Sequence, residues 1–316
     1  MNNHVIFKPQ NGLGDKILDI IGFYVICKYL NYMPNIGFNH IINQYAWGNN
    51  DYDTRLFVFR DFILSDRDMD NRYDFFLESP NPSVSLSPYK VYEFLHGFLP
   101  EIDFEQVSKS YNLFVKEIVG PSEIILSKIP YHIEHAYGIH LRKSDKIQNH
   151  SNGHENSIDE FQIIIQKLLD DVKNIVLNEH EPFFFIVSED SEWKNEITNS
   201  VKEMGFIHGK NVNFVVVDYT NENNYSNYNS VLDLFCLSRC KMIFQGVKYS
   251  TFSILSALLG NGKIVNYSHV LDNNYSIVYN WNSVVEINGK LKYDVEFYKN
   301  YTFCTNLITN IANTYE

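Results

Sequence analysis

The sequence is poor in cysteine, in long apolar runs and in positive charge. It has 4 cysteines in 316 residues, and their spacing fits neither a zinc site nor a disulfide framework. We therefore expect reduced cysteines in the core. No stretch reaches the ~20 apolar residues that a membrane-spanning helix needs, so no membrane span is expected. The cysteines are Cys27, Cys236, Cys240 and Cys304.

The charge balance limits the ligands that the protein can bind. Lys and Arg number 26 against 38 Asp and Glu, which gives a net charge of −12. Affinity for nucleic acid comes from cations that neutralise phosphates, so this charge argues against a general nucleic-acid binder. It does not exclude a small phosphorylated ligand held in one local basic pocket. The first residues, Met1–Phe7, lack the basic region and apolar core of a signal peptide, which predicts a cytoplasmic protein.

The second half of the chain alternates short apolar strands with helical patterns. This alternation predicts an α/β fold with a parallel sheet and right-handed crossovers. A hydrophobic content of 45% and a length of 316 residues allow two domains. The predicted strands are 137–141, 183–187, 212–217, 242–244 and 264–265, with 284–287 as a further strand. Helices are predicted over 231–240 and 251–259, and 73–77 is a predicted strand of the first half.

The amino-terminal residues predict a second strand–turn–helix unit. Strand Val5–Phe7 leads into a glycine turn, Asn11–Asp15, and apolar residues then recur at helical spacing from Ile17. A helix start after such a turn can receive an anion. The third glycine of a dinucleotide fingerprint is missing after Gly12 and Gly14, so a simple strand–helix turn is the alternative.

An acidic segment, Asp66–Asp70, imitates a metal-binding loop. Asn71 stands where a calcium loop needs glycine, and Leu77 stands where it needs a bidentate Glu. The segment also fails as an Asp-x-Asp motif, because a polar loop surrounds it. We interpret it as a solvated loop and predict no metal site.

Polar clusters follow three of the predicted strands. Since ligands of open α/β sheets bind at the carboxyl ends of the strands, these clusters predict a site. Arg142 offers planar, bidentate donors for phosphate oxygens, although pairing with Asp145 across a loop is the alternative. Ser250 and Thr251 place hydroxyls at a helix start, which suits phosphate. The clusters are His140/Arg142/Lys143/Asp145/Lys146, Ser188/Glu189/Asp190 and Lys248/Tyr249/Ser250/Thr251.

Two segments resemble the signatures of the GDP-fucose-dependent fucosyltransferase superfamily. His140-Leu141-Arg142-Lys143-Ser144-Asp145 is similar to its His-x-Arg-[Arg/Lys]-x-Asp motif. Asp233–Ile243 followed by Ser250-Thr251-Phe252-Ser253 resembles its second motif, and Phe185–Asp190 is similar to the strand between them. The order and spacing agree over residues 136–260, and Asn11–Asp15 looks like the family's opening glycine loop.

The resemblance implies a GT-B fold with two Rossmann-like domains facing across a cleft. It assigns residues 1–133 to an acceptor-side domain and 134–316 to a nucleotide-sugar domain, with the segment from Asp294 packing back on the first. The implied reaction is an inverting transfer of fucose from GDP-fucose to a glycan, without a metal or other cofactor. The implied partners are the nucleotide sugar and a glycan acceptor, and the oligomeric state stays open.

The resemblance also implies roles for individual residues. Arg142 would grip the pyrophosphate and stabilise departing GDP, and Lys143 and Lys146 would add charge at the same place. Asp233 would pair with guanine, with a helix N-cap as the alternative. The donor site would comprise His140, Arg142, Lys143, Lys146, Asp233, Ser250 and Thr251, and the acceptor-side loop Asn11, Gly12 and Gly14.

The group that takes the acceptor proton stays open. The candidates are Asp15, Glu155, His150 and His154, with Asp15 and Glu155 preferred. Departures from the family pattern are Lys143 in place of the commoner second Arg and a short insertion at 245–249. Two other readings remain: a different nucleotide-sugar transferase, such as a heptosyltransferase, or a relative that binds nucleotide or glycan without catalysis.

Overall fold

The computed structural model divides the described chain into two compact units, within Met1–Lys128 and Tyr219–Leu232, and within Ile129–Asp218 and Asp233–Tyr293. The first is called unit 1 and the second unit 2. The described residues are 4–7, 13–37, 53–60, 63–65, 88–142, 158–225, 227–247, 250–260, 263–267, 277–280, 284–287 and 290–292.

Unit 1 contains a parallel sheet, in which β1, β2 and β4 are neighbours in that order, and a separate antiparallel pair, β3 and β5. The β1–α1–β2 segment is a parallel βαβ unit, which is the Rossmann-like opening that the sequence predicts. Its elements are β1 His4–Phe7, α1 Leu13–Leu30, β2 Met33–Gly37, β3 Phe57–Phe59, β4 Ile63–Ser65, α2 Pro88–His96, α3 Phe104–Ile118, β5 Val119–Pro121 and α4 Glu123–Leu126.

Helix α1 is the centre of unit 1. Every side chain from Leu13 to Cys27 is buried except Asp15, which is half-buried. A helix that is apolar on nearly all sides has to be covered on all sides. Helix α3 supplies part of the cover, and the Tyr111 hydroxyl donates to the carbonyl oxygen of Leu18 at 2.9 Å. Apolar burial along α1 therefore holds unit 1 together.

Unit 2 is built on one sheet with the strand order β13-β12-β11-β10-β9-β6-β7-β8. The neighbours from β10 to β8 are parallel, and β11, β12 and β13 extend the sheet antiparallel. Its elements are β6 Ala136–Leu141, α5 Ile158–Asn178, β7 Phe183–Ser188, α6 Ser191–Ile207, β8 Asn213–Phe214, α7 Tyr228–Arg239, β9 Met242–Gln245, α8 Thr251–Leu259, β10 Lys263–Asn266, β11 Ile277–Asn280, β12 Val284–Ile287 and β13 Lys290–Lys292. Helix α7 begins in unit 1 and continues into unit 2.

Close packing of helices on the sheet depends on two glycines. A Cβ on Gly138 would lie 2.7 Å from Leu237 Cδ2 and 3.2 Å from Cys240 Sγ. A Cβ at the end of α8, on Gly260, would overlap the carbonyl oxygen of Ser238. Strand β6 and helix α8 therefore both approach α7 more closely than a larger residue allows.

Several predicted boundaries are wrong in detail. Helix α1 begins at Leu13 rather than at Ile17, so Gly14 and Asp15 belong to its first turn instead of a loop. Helix α7 begins at Tyr228 rather than at Val231. The strand predicted at 212–217 is confined to Asn213–Phe214, since only these residues pair with β7.

The predicted α/β fold class is confirmed, as is the burial of Cys27, Cys236 and Cys240. The assignment of residues 1–133 and 134–316 to acceptor and donor domains stays a prediction. Among the described residues, no helix combines the length and the apolar character needed to cross a bilayer. Outside the described residues lie Cys304, the acidic segment 66–70, the strand predicted at 73–77 and the carboxyl-terminal segment from Asp294.

Candidate functional site

The order of the parallel strands in unit 2 contains a topological switch point between β6 and β9. From β6 the chain adds β7 and β8 on one side, and then returns to add β9 and β10 on the other. Crossovers that leave two adjacent strands in opposite directions open a crevice at their carboxyl ends, where ligands of α/β sheets bind. Arg142 follows β6, and Ser250 and Thr251 follow β9. The switch point therefore lies between the two segments that the sequence assigns to phosphate.

A buried hydrogen bond connects the two sides of the switch point. His140 Nδ1 lies 2.6 Å from the hydroxyl of Ser253 and 3.5 Å from that of Ser250. The carbonyl oxygen of His140 also accepts the N–H of Gly246 at 2.9 Å. The ring of Phe252 lies beside the imidazole, with centroids 5.1 Å apart. Side-chain and backbone contacts of one residue therefore join β6, β9 and α8.

His140 is neutral in this environment. Its side chain is 6% exposed, and burial lowers its pKa from 6.5 to about 3, with the charge of Arg142 acting in the same direction. Burial disfavours the charged form of an imidazole, and a nearby cation adds to that cost. A neutral ring can both accept and donate a hydrogen bond through its nitrogens, whereas a protonated ring can only donate.

Arg142 lies at the end of β6 and is half-buried. Its guanidinium is close enough to His140 to lower the pKa of that imidazole, which places positive charge at the switch point. At a half-buried position, a fixed cation interacts with phosphate more strongly than it would in water. The other cations predicted here, Lys143 and Lys146, lie outside the described residues.

The amino terminus of α8 is ordered by its own serines. Ser250 is the N-cap, and its Oγ accepts the N–H of Ser253 at 3.4 Å. Thr251 opens the first turn and is half-buried. The helix carries no charged residue in this turn, so its N–H groups and dipole favour an anion without competition from a local carboxylate.

Asp233 lies inside helix α7 and not at its start. The helix begins at Tyr228, so the N-cap alternative for Asp233 is wrong. Its carboxylate is half-buried and helps to raise the pKa of Cys236 to about 12, after the larger effect of burial. Its predicted pairing with guanine stays a prediction.

The polar cluster after β7 serves the local backbone. Asp190 is the N-cap of α6, and its carboxylate accepts the N–H groups of Glu192 at 3.0 Å and Trp193 at 3.2 Å. The N–H of Asp190 donates to Ser188 Oγ at 3.1 Å. Ser188 and Asp190, which the sequence predicts as part of a binding site, therefore serve to start helix α6.

The structure describes two of the residues predicted on the acceptor side, Gly14 and Asp15. Gly14 is buried in the first turn of α1, and Asp15 beside it is half-buried and contributes to raising the pKa of Tyr111, behind burial and Asp19. The described residues contain no group of three or more His, Cys, Asp or Glu placed to hold a metal ion. Outside them lie the predicted site residues Asn11, Gly12, Lys143, Lys146 and Glu155, with His150 and His154.

The sequence does not predict the role of Ser253, which it places only in the Ser-Thr-Phe-Ser motif. Ser253 is fully buried and makes the shortest contact to His140. The available signal was its position three residues after Ser250, which puts both hydroxyls on one side of a helix.

Comparison with solved structures agrees with this architecture. The α-1,6-fucosyltransferase NodZ, from crystals soaked with GDP-fucose, matches with a TM-score of 0.54 and 12% identity over 89% of this chain and 99% of NodZ. The chain has the fold of NodZ. NodZ crystallised with GDP gives 0.52 and 13% identity over the same shares of the two chains, and the Bradyrhizobium NodZ structure gives 0.52 and 12%. No protein-family model and no curated protein sequence matched the chain.

At these identities the likeness establishes the fold. The resemblance to fucosyltransferases inferred from the two motifs is thereby confirmed at the level of architecture.

Proposed function

We propose that the protein is an inverting fucosyltransferase, which transfers fucose from GDP-fucose to a hydroxyl group of a glycan. The observation that carries the proposal is the switch point of unit 2, which brings Arg142 and the start of α8 to adjacent strand ends. Two features support GDP-fucose as the donor. The strand ends carry the two motifs of the superfamily, and NodZ structures of the same fold come from crystals treated with GDP and GDP-fucose.

The proposed donor site combines groups from the two strand ends with residues named by the family resemblance. The diphosphate lies between Arg142 and the amino terminus of α8, where Ser250, Thr251 and backbone N–H groups donate to its oxygens. Lys143 and Lys146 add positive charge, and Asp233 accepts from the guanine edge. A bidentate guanidinium and a helix terminus are both suited to phosphate, so the site needs no metal or other cofactor.

In the proposed reaction, the acceptor oxygen forms a bond to the anomeric carbon while the bond from that carbon to the β-phosphate oxygen breaks. The hydroxyl proton goes to a carboxylate, either Asp15 or Glu155, and GDP leaves with the bonding electrons. Negative charge grows on the β-phosphate as the bond breaks, so a fixed Arg142 stabilises the transition state more than the ground state.

The rest of the proposal concerns the whole molecule. The protein is a GT-B enzyme in which residues 1–133 form the acceptor-side domain, with Asn11, Gly12 and Gly14 near the acceptor. The donor side is 134–316, with the segment from Asp294 packing back on the first domain. We also propose a cytoplasmic location.

Nucleotide selectivity tests the donor. We expect GDP at 100 times its Kd to stabilise the protein by about 2.7 kcal/mol in thermal unfolding. ADP and UDP at the same concentration should give much smaller shifts. Stabilisation by ADP or UDP but not by GDP would contradict the fucosyl assignment.

Turnover tests the reaction. GDP-fucose incubated with the protein and a panel of oligosaccharides should yield GDP and a fucosylated product. Proton NMR of that product should show an anomeric configuration opposite to that of the donor. GDP binding without turnover on any acceptor or water would make the protein a nucleotide-binding relative, and retention of configuration would contradict the inverting mechanism.

A further inference from the structure

We propose that His140 is a positioning residue whose imidazole holds the first turn of α8 against the end of β6. The bond from its Nδ1 to Ser253 would set the distance between Arg142 and the donor groups of α8. The inference rests on the proposed function, because it concerns how the same diphosphate site is kept in shape. It assigns His140 a role different from the nucleotide contact that the family resemblance implies.

The geometry separates the two attachments of His140. Its backbone carbonyl accepts the N–H of Gly246, which keeps β6 beside the continuation of β9. Its side chain reaches the hydroxyl of Ser253 at 2.6 Å. The backbone bond holds a strand, and the side-chain bond holds a helix, so removing the side chain would release α8 without separating the strands.

The hydroxyl of Ser253 acts on the orientation of the helix. Ser253 lies three residues after the N-cap Ser250, and such residues share a helix face. A bond at this point resists rotation of α8 about its axis, because rotation would carry both hydroxyls away from the imidazole. The N–H groups of the first turn keep their direction as long as this bond is made.

Burial makes the bond costly to lose. Ser253 is fully buried and His140 is nearly so. Removal of one partner would leave the other polar group buried and unsatisfied, which costs more than the bond itself contributes. The ring of Phe252 beside the imidazole keeps the pair away from water.

The two ring nitrogens allow the positioning role to be separated from a direct contact with the nucleotide. The side-chain amide of Asn can occupy the place of Nδ1, and that of Gln can occupy the place of Nε2. His140→Asn would therefore keep the link to Ser253. His140→Gln would lose that link but keep a polar group where Nε2 could meet a ligand.

The first experiment measures the Kd of GDP by calorimetry for four variants. We expect His140→Gln and Ser253→Ala each to weaken binding by about 10-fold, in line with one buried bond lost. His140→Asn should stay within about 3-fold of wild type, since it keeps the bond. Ser256→Ala is the matched control, because Ser256 is buried in the same helix and its hydroxyl donates to the Phe252 carbonyl oxygen within that helix. Full affinity in His140→Gln with loss in His140→Asn would overturn the proposal in favour of a direct contact.

The second experiment does not involve nucleotide. Hydrogen exchange of the α8 amides should be about 10-fold faster in Ser253→Ala than in Ser256→Ala if the bond anchors the helix. Equal exchange in the two variants would overturn the positioning role, whatever GDP does. Failure of the wild type to bind GDP, with the exchange difference intact, would instead remove the proposed function and leave His140 as an anchor.

Nitrogen NMR of the His140 imidazole tests the proposal on the wild-type protein alone, so it does not depend on whether a variant folds. In the wild type, we expect the ring of His140 to remain in one neutral tautomer from pH 7 down to about pH 4, because of its burial. A ring that titrates with an ordinary pKa near 6.5 would show that it is solvated and not bound to Ser253, which would overturn the proposal.

Discussion

Two strand ends of the same sheet carry similar polar residues and use them differently. At the end of β7, Ser188 and Asp190 bond to backbone N–H groups within five residues of chain. Near the end of β6, His140 bonds to Ser253, 113 residues away in sequence. The first end starts a helix, and the second joins two distant elements at a switch point.

The difference shows that a polar cluster at a strand end does not by itself identify a site. A Ser and an Asp can be fully used by the backbone that follows them. A residue whose bonds span distant elements defines a place where separate segments meet. Topology, which puts β9 beside β6, distinguishes the two cases.

The largest expected contrast is in catalysis. Arg142→Ala should lower kcat/KM for GDP-fucose by about 10²- to 10³-fold, because it removes a cation from the developing negative charge. Asp190→Ala, at the neighbouring strand end, should change it by less than about 3-fold, since the loss of a half-buried helix cap has mainly local effects. Steady-state GDP release measures both. Equal losses in the two variants would mean that both ends belong to one active site.

The second contrast is in the pH dependence of stability. The pKa of His140 is about 3 in the folded protein and 6.5 in the unfolded chain. Between these values only the unfolded chain binds the proton, so stability falls as the pH drops from 6.5 towards 3, by up to about 1.4 kcal/mol per pH unit. Arg142 is the charged group acting on the ring, while α8 presents hydroxyls and the Phe252 ring.

Urea unfolding at several pH values checks this expectation against His140→Asn, which has no titrating group at this position. The variant should lose less stability on acidification than the wild type. The same slope in both proteins would show that His140 titrates normally in the folded state.

The third contrast concerns the other end of α8. Gly260→Ala should destabilise the protein by about 1–3 kcal/mol, because the added Cβ overlaps the Ser238 carbonyl and the helix has to move. Gly120→Ala is the matched control, since a Cβ there meets nothing within 4 Å. Free energies of unfolding from urea titrations should differ between the two, and GDP affinity should fall only for Gly260→Ala. Comparable stability of the two variants would contradict the close approach of α8 to α7.

The smallest expected effect is at the end of β7. Asp190→Ala removes the N-cap of α6 and should cost about 1 kcal/mol of unfolding free energy. Asp190→Asn should recover most of this loss, because an amide oxygen can also accept the N–H groups. Denaturant midpoints measure the stability of both variants. A loss of GDP affinity in Asp190→Ala would contradict a purely local role for the end of β7.

Much of unit 2 could be predicted from the sequence. Apolar runs such as Phe183–Val187 end in polar residues, which bounds a buried strand, and Thr251–Leu259 was predicted with the bounds that the structure shows. The apolar pattern does not predict a strand whose own residues disfavour strand formation. Strand β2 contains Pro34, Asn35 and Gly37, and it forms because β1 and β4 pair with it on both sides.

The candidate site was predictable only in its parts. Arg142, Ser250 and Thr251 could be proposed from residue type and their place after a strand. The bond from His140 to Ser253 could not, because nothing local in either segment indicates a partner 113 residues away. The alternative role of Asp233 as an N-cap is wrong because the helix starts earlier than its apolar pattern indicates. The preceding polar residues, Asn229 and Ser230, already belong to the helix.

The switch point also has a consequence for synthesis on the ribosome. Strands β6 and β7 are consecutive in sequence and can pair early, but β9 must insert beside β6 after α5, α6 and α7 have been made. Until then, one edge of β6 has no neighbour from this sheet, and the apolar residue Ile139 lacks the cover of Phe244. A nascent chain that pauses before residue 242 would therefore keep this strand edge open to misassembly.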